Sequence, residues 1–399
     1  MSIARNQARI AGDLWHRLQP LDRNTPSRLQ ALLADRRFGS RDRRLYRELL
    51  ITALRHARAI AGLQDDDWAA YLARVCDATP ETAAFREAYV AGAQVGELHP
   101  PAPAPLDLLP AWFADECDTG ETAATTAAAL LGRAPLWVRL QTDDPEAVLA
   151  EWASRGWTAS PHPALPGAWR LPSDTAVTSC DSYHAGHYEV QDLGSQLILA
   201  SLGLAPAATP VRWLDACAGA GGKTLQLARL LGPAARIEAA DIRPAALAEL
   251  RARATRAGLK NIHTVTRPSG LYDGVLVDAP CSGSGTWRRS PHLMACTTPA
   301  DLDAAATLQS RLLAEAAPLV LPGGLLVYAT CSIARRENRA VAAAFLAAQS
   351  GTFRTEPPVR TFGFPVLSPD PGLVLTPGRE DNDGFYVAAF RRASAAAAL

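Results

Sequence analysis

Apolar positions change rhythm along the chain. In the first hundred residues they recur every three or four places, as in Arg28-Leu-Gln-Ala-Leu-Leu-Ala and Leu45-Tyr-Arg-Glu-Leu-Leu-Ile-Thr-Ala-Leu. That spacing lines one face of a helix and predicts a helical domain over residues 1–98. The stretch Glu97-Leu-His-Pro-Pro-Ala-Pro-Ala-Pro-Leu-Asp-Leu-Leu-Pro110 reads as a stiff connector. Beyond it, Leu136–Leu140 and Ala168–Leu171 predict strands, and Asp144 followed by Pro145 predicts a helix start, giving a small α+β module over 106–200.

From Val211 the pattern becomes strand, turn, helix, repeated to the end of a third domain at 201–394. Strands are predicted at Val211–Ala216, Arg236–Asp241, Ile262–Thr266, Gly274–Asp278, Leu325–Thr330 and Phe385–Phe390. Helices are predicted at Lys223–Leu231, Ala245–Ala257, Asp301–Leu319 and Arg336–Ala348. Alternation of this kind implies an α/β fold with a mostly parallel sheet and ligands beyond the carboxyl ends of its strands. The alanine-rich tail after Arg392 predicts a frayed end.

Composition narrows the class. The 399 residues are 48% hydrophobic and 20% charged, ordinary for a globular protein, with no apolar run long enough to span a membrane. The first residues lack the continuous apolar stretch of a secretory signal. Seven cysteines without a CxxC pair argue against a zinc site or a disulfide framework, so no metal and a cytoplasmic location are expected. Net charge is zero but unevenly spread: residues 1–60 hold thirteen Arg against five acids, and 61–155 hold five Arg against sixteen acids. A basic terminal segment is suited to a polyanion, although a solvated helical surface has the same composition.

The chemistry sits in the third domain. Its first strand runs into Asp215-Ala-Cys-Ala-Gly-Ala-Gly-Gly-Lys-Thr224, which fails as a phosphate-binding P-loop because Cys217 stands where that pattern needs glycine. A glycine-rich turn followed, about twenty residues on, by an acid at the end of the next strand (Asp241) instead marks a cofactor carrying a ribose. Asp278 ends the fourth strand and is followed by Ala-Pro-Cys281-Ser; Thr330-Cys331-Ser ends the fifth. Asp278, Cys281 and Cys331 are therefore expected on the edge that carries the cofactor loop. A thiol there could act as a nucleophile, but at an ordinary pKa of about 8.5 it needs a local cation or proton acceptor.

Residues 186–390 resemble the RsmB/Nop/Sun family of S-adenosylmethionine-dependent RNA cytosine-5 methyltransferases. The resemblance is carried by Gln191-Asp-Leu-Gly-Ser-Gln, Cys217-Ala-Gly-Ala-Gly-Gly-Lys, Asp241-Ile, Asp278-Ala-Pro-Cys-Ser-Gly-Ser-Gly-Thr, Arg288-Arg-Ser-Pro, Pro322-Gly-Gly-Leu-Leu-Val-Tyr-Ala-Thr-Cys-Ser-Ile, Glu337-Asn and Asp383-Gly-Phe-Tyr-Val-Ala. It implies a Rossmann-like class I methyltransferase sheet, with Cys331 as nucleophile toward carbon 6 of cytosine, Cys281 assisting release, and Asp278 on the cytosine edge. It further implies S-adenosylmethionine held by Cys217, Ala218, Gly219, Ala220, Gly221, Gly222, Lys223, Asp241 and Asp278, and RNA contacts at Arg288, Arg289, Gln191 and Asp192.

Leu109-Pro-Ala-Trp and Trp137-Val-Arg-Leu resemble the family's RNA-binding module, with Gln141 near a position where Asn is common, and the helical start resembles a NusB-like domain. Small-subunit 16S rRNA is the implied substrate, with tRNA, or a non-catalytic role in ribosome assembly, as alternatives and a monomer as the default state. A DNA cytosine-5 methyltransferase would attack from a Pro-Cys motif and lack the Thr-Cys-Ser. The chain departs from the family at Gly219-Ala220, where Ala-Pro is usual. It departs again after the third strand, where Arg267 or Ser269 replaces an acid that contacts adenine.

Overall fold

The computed structural model describes residues 3–63, 65–90, 103–366 and 372–394. Residues 97–102 of the proline-rich connector and the alanines from 395 onward lie outside them. The chain divides into two compact units, neither continuous: residues 1–115, 123–133 and 287–298 form one, and residues 116–122, 134–286 and 299–399 the other.

The first unit is helical. Helices Ile3–Leu18, Thr25–Leu33, Ser40–Arg55, Asp65–Val75 and Ala83–Val90 are followed by Ala123–Leu131 and the short His292–Cys296. Ser40–Arg55 illustrates why they form: Leu45, Leu49, Leu50, Ala53 and Leu54 are buried on one side, while Arg41, Arg44 and Arg47 face solvent. Leu14, Leu18, Phe38, Tyr71, Leu72 and Phe85 complete the core. Trp287 is fully buried, with its ring 5.7 Å from Trp112 and 5.8 Å from Phe113.

The second unit holds two sheets. The smaller joins β1 (Leu136–Leu140), β2 (Ser160–Pro161), β3 (Ala168–Leu171) and β4 (Tyr188–Val190) in the antiparallel order β2-β3-β1-β4. Its helix Pro145–Ser154 is capped by Asp144, whose carboxylate accepts from the Ala147 amide at 3.2 Å. The larger comprises β5 (Val211–Asp215), β6 (Ala235–Ala239), β7 (Ile262–Thr264), β8 (Tyr272–Asp278), β9 (Val320–Thr330), β10 (Phe353–Glu356), β11 (Gly372–Leu375) and β12 (Phe385–Arg392). The order is β10-β12-β9-β8-β5-β6-β7, with β11 also pairing β12. The five strands β5 to β9 run parallel, and β12 returns antiparallel to β9.

This is the Rossmann-like α/β arrangement expected from the alternating pattern. Strand order reverses between β5 and β8, so the loops leaving these two strands open a crevice at the carboxyl edge. Trp137 and Ala168 of the small sheet lie in one hydrophobic cluster with Leu227, Leu276 and Val327 of the large one.

Candidate active site

The loop after β5 turns sharply into helix Gly222–Leu231. Gly219 and Gly221 adopt φ of 53° and 92°, a region open to glycine at little cost. A Cβ on Gly221 would come within 2.7 Å of Leu250 and 2.9 Å of Leu225, so the packing also demands glycine there. The turn is pinned by the Ala218 amide donating to Ala240 O and by Arg253 donating to Ala220 O at 2.8 Å.

Asp241 lies just past β6 and accepts from the Gly219 amide at 2.8 Å. Arg243 wraps the same carboxylate, donating its backbone N–H and Nε to Oδ1 at 2.8 and 2.9 Å and its Nη2 to Oδ2 at 3.0 Å. The Arg243 hydrogen bonds, together with the two backbone donors, hold the Asp241 pKa below the ordinary carboxylate value against the opposing effect of burial. Ile242, between them, is 96% exposed, an apolar side chain standing beside the cleft.

That cleft encloses about 620 Å³ and is lined by the Ala216–Ala220 turn, Lys223, Asp241 to Arg243, Asp278 to Cys281, Leu308, Leu312 and Cys331. The structure therefore brings together on one edge the cofactor-loop residues, Asp241, Asp278 and both cysteines of the sequence reading. Cys281 Sγ and Cys331 Sγ are 3.2 Å apart. Lys223, in the first turn of its helix, points an ammonium at Asp278 Oδ2 at 2.9 Å and lies 5.3 Å from the Phe385 ring centroid. Burial works against its charge, but attraction to Asp278 and, more weakly, to Cys331 and Asp215 leaves its pKa raised. The hydrogen bond it donates to Cys331, burial, the Cys331 sulfur and, last, the nearby Glu337 carboxylate all push the Cys281 thiol up.

Two further acids adjoin the cleft, and a third thiol, Cys217, lines it. Burial lifts Asp215 to about 7 despite the Thr224 hydroxyl donating to it at 2.7 Å, and the Asp278 charge adds to the rise. Burial, with Asp215, Asp278 and Asp241 nearby, pushes the Cys217 thiol to about 12. Cys217 therefore contributes backbone and bulk to the loop rather than a reactive sulfur. Glu337 is wholly buried and accepts from the serine after each cleft cysteine: Ser282 Oγ at 2.5 Å and Ser332 Oγ at 2.6 Å.

The residues assigned to RNA are placed differently. Gln191 is only 6% exposed; its carbonyl accepts from Arg139 Nε at 2.7 Å and its amide donates to Gln226 at 3.0 Å, so it belongs to an interior polar network and not to an RNA-facing surface. Asp192 caps helix Leu193–Ala200, accepting from the Gly194 and Asp383 amides at 2.8 and 3.0 Å. Arg288 and Arg289 fall in the helical unit, where Arg288 is 3% exposed and donates to Arg133 O at 3.4 Å, and Arg289 is exposed. Gln191 and Arg288 thus lie in the interior and Arg289 at the surface, and the buried position of Arg288 accords with the alternative of ordering its surroundings rather than contacting phosphate.

Sequence reasoning gave no role to Arg243, Ile242, Arg253 or Glu337. For Ile242 and Arg243 the signal was adjacency to Asp241; for Glu337 it was the Glu-Asn pair six residues after Cys331.

Among the described residues no helix is long and apolar enough to cross a membrane, and no group of three or more His, Cys, Asp or Glu side chains is arranged to hold a metal ion. The 16S rRNA methyltransferase RsmB/F family model matches residues 202–391. Ribosomal RNA small subunit methyltransferase B of Xanthomonas campestris pv. campestris is 32% identical over 299 residues, covering 71% of this chain and 67% of that protein. A methyltransferase homologue from Pyrococcus horikoshii is 26% identical, with a TM-score of 0.57 over 68% of this chain and 91% of that one. The crystal structure of PH0851, at 21% identity, shares the fold over 98% of this chain and 99% of its own, with a TM-score of 0.70. With its Rossmann-like sheet and these relatives, the chain belongs to the 16S rRNA methyltransferase RsmB/F family, whose methyl donor is S-adenosylmethionine.

Proposed function

We propose that the protein is an RNA cytosine-5 methyltransferase acting on 16S rRNA through a covalent bond between Cys331 and carbon 6 of the target cytosine. The observation that carries this reading is the pair of thiols 3.2 Å apart at the cofactor cleft, in unequal surroundings. Lys223 is attracted to Cys331, whereas the Glu337 carboxylate bears on Cys281. Cys281, whose thiol is pushed up, keeps its proton, and Cys331, which it faces at 3.2 Å, is assigned as the nucleophile in keeping with the resemblance of Thr330-Cys331-Ser332 to the family's nucleophile motif.

The cleft fits the cofactor. Its glycine turn lets a ligand approach the backbone, Asp241 offers acceptors to ribose hydroxyls in exchange for Arg243, and exposed Ile242 offers an apolar face to adenine. When bound, S-adenosylmethionine supplies an electrophilic methyl group. Cys331 adds to carbon 6, which makes carbon 5 nucleophilic enough to be methylated. Asp278 is held through Oδ2 by Lys223, leaving Oδ1 to accept from the cytosine amino group. After transfer the proton on carbon 5 passes to a water molecule in the open cleft, the electrons of that bond restore the carbon 5–carbon 6 double bond as the carbon–sulfur bond breaks, and Cys281 donates a hydrogen bond to the departing Cys331 thiolate. The target base has to leave its stack to reach these sulfurs, which favours a loop or locally opened RNA.

A covalent-trapping assay tests this. Wild type, Cys281→Ala and Cys331→Ala are incubated with S-adenosylmethionine and unmodified total RNA and run on denaturing gels. RNA adducts accumulating in Cys281→Ala and missing in Cys331→Ala are expected, and sequencing the trapped RNA identifies 16S rRNA. Accumulation in Cys331→Ala reverses the two roles; RNA binding with no adduct in any variant points to a non-catalytic assembly role.

A further inference from the structure

Glu337 has no part in the steps above, yet it is the one side chain among the described residues that hydrogen-bonds to the residue following each reactive cysteine. Its carboxylate is fully engaged. Oε1 accepts from the Ser282 amide at 2.7 Å and Gln309 Nε2 at 3.3 Å, while Oε2 accepts from the Ser282 hydroxyl at 2.5 Å and the Ser332 hydroxyl at 2.6 Å. Burial raises the Glu337 pKa, and the four donors that fill the acceptor directions of its carboxylate oppose that rise.

The surrounding hydroxyls extend the grip. Ser284 and Ser332 hydroxyls are 2.9 Å apart, and the Ala334 amide donates to Ser332 Oγ at 3.0 Å. Gln309 also donates to Pro280 O at 2.9 Å, and Tyr328 donates to the Glu337 carbonyl. The loop after β8 and the loop after β9 thus close on a single carboxylate, one residue behind each sulfur.

We infer that Glu337 is a positioning residue for the transfer reaction: through Ser282 and Ser332 it yokes the two cysteine loops and holds the sulfurs within contact distance. This rests on the two-thiol reading of the site. A second, direct link between the loops, from the Gly285 amide to Cys331 O at 3.0 Å, is pure backbone and survives any change at residue 337. Substitution therefore loosens the sulfurs without releasing the loops. In Glu337→Gln one carboxylate oxygen becomes an N–H donor, so at least one serine meets a donor where it had an acceptor.

Chemical cross-linking reads the sulfur separation without RNA or cofactor. Diamide oxidises two adjacent thiols to a disulfide and takes up their two hydrogens, and peptide mapping identifies the Cys281–Cys331 link. The full-length wild type is expected to form it readily. Glu337→Gln should form it about tenfold more slowly, the scale of one charge-assisted hydrogen bond. Its melting temperature should fall by no more than the loss of one buried hydrogen bond, and its single-thiol alkylation by iodoacetamide should be no slower than wild type, so that slower cross-linking reports sulfur separation. Ser332→Ala should show a smaller loss, and Glu337→Asp a partial recovery. In methyl transfer, kcat should fall with KM for RNA unchanged.

Wild-type cross-linking rates in both Glu337→Gln and Ser332→Ala overturn the inference, as does a wild type that never cross-links. Should Glu337→Gln not fold, the Ser282→Ala/Ser332→Ala double variant takes its place under the same criterion. Slower cross-linking in a protein that methylates no RNA upholds the yoke while refuting the proposed function.

Discussion

The Lys223–Asp278 ion pair gives the sharpest energetic prediction. At 2.9 Å, two unit charges attract by about 6 kcal/mol at an effective dielectric of about 20. Most of that is offset by desolvation, since the Lys223 side chain is 8% exposed; Asp278, at 30%, keeps part of its hydration. The remaining coupling is about 2 kcal/mol, the usual range for a hydrogen bond between charged groups. Lys223→Met leaves a carboxylate without its counter-ion and should cost about 2–3 kcal/mol; Asp278→Asn leaves a buried ammonium and should cost as much.

The double variant removes both charges, so its penalty should be about 2 kcal/mol smaller than the sum of the two. Urea unfolding followed by hydrogen exchange of peptides from β5 and β8 confines the measurement to the unit that holds the pair. Activity should behave oppositely: all three variants lose methyl transfer, because stability without charge does not restore the site. Additive penalties, within about 0.5 kcal/mol, would refute the ion-pair reasoning.

Burial of His56, whose Nδ1 lies 3.0 Å from the Tyr71 hydroxyl, lowers its pKa from the ordinary 6.5 to about 4. The unfolded chain therefore takes up this proton first as pH falls. Stability of the helical unit that is present above pH 6.5 should decline between there and about pH 4, by up to about 3 kcal/mol. His56→Gln should flatten that part of an acid titration followed by circular dichroism; an unchanged slope would assign the decline to other groups. Gly285→Ala would put a Cβ 2.0 Å from Gly384 O, so it should cost about 1–3 kcal/mol in urea unfolding and displace the Cys281 loop; wild-type stability would contradict the packing described. Ile242→Ser touches no core and should leave unfolding unchanged. It should weaken S-adenosylmethionine binding about tenfold by calorimetry, the value of burying one aliphatic side chain, and an unaltered Kd would remove Ile242 from the adenine face.

Much of this architecture was legible because the central strands are short apolar runs ended by turn residues. β5, β6, β8, β9 and β12 all appear in the sequence pattern, with ends displaced by a few residues. β10 and β11 do not. Each has four residues, and β10, Phe-Arg-Thr-Glu, buries little beyond Phe353, so only pairing to β12 defines it.

At the site, the Asp278, Cys281 and Cys331 neighbourhood followed from strand order, since residues at the ends of adjacent parallel strands must be close. What stayed hidden were contacts set by tertiary packing between polar side chains. Gln191 finds Arg139 across 52 positions of sequence, and Ser282 finds Glu337 across 55. No local periodicity carries such pairings. Arg288 likewise looked available to RNA because charge suggests exposure, whereas its segment folds into the helical unit.

That last segment has a consequence for how the molecule is made. The helical unit opens at the beginning of the chain, but Trp287, which covers Trp112 and Phe113, is translated only after β8. At about 5–20 residues per second, the ribosome delivers it many seconds after the other helices have emerged. The first part of the protein to be synthesised therefore waits, with an aromatic seam uncovered, for a piece of the second, and a fragment ending at residue 133 should expose that seam however well its helices form.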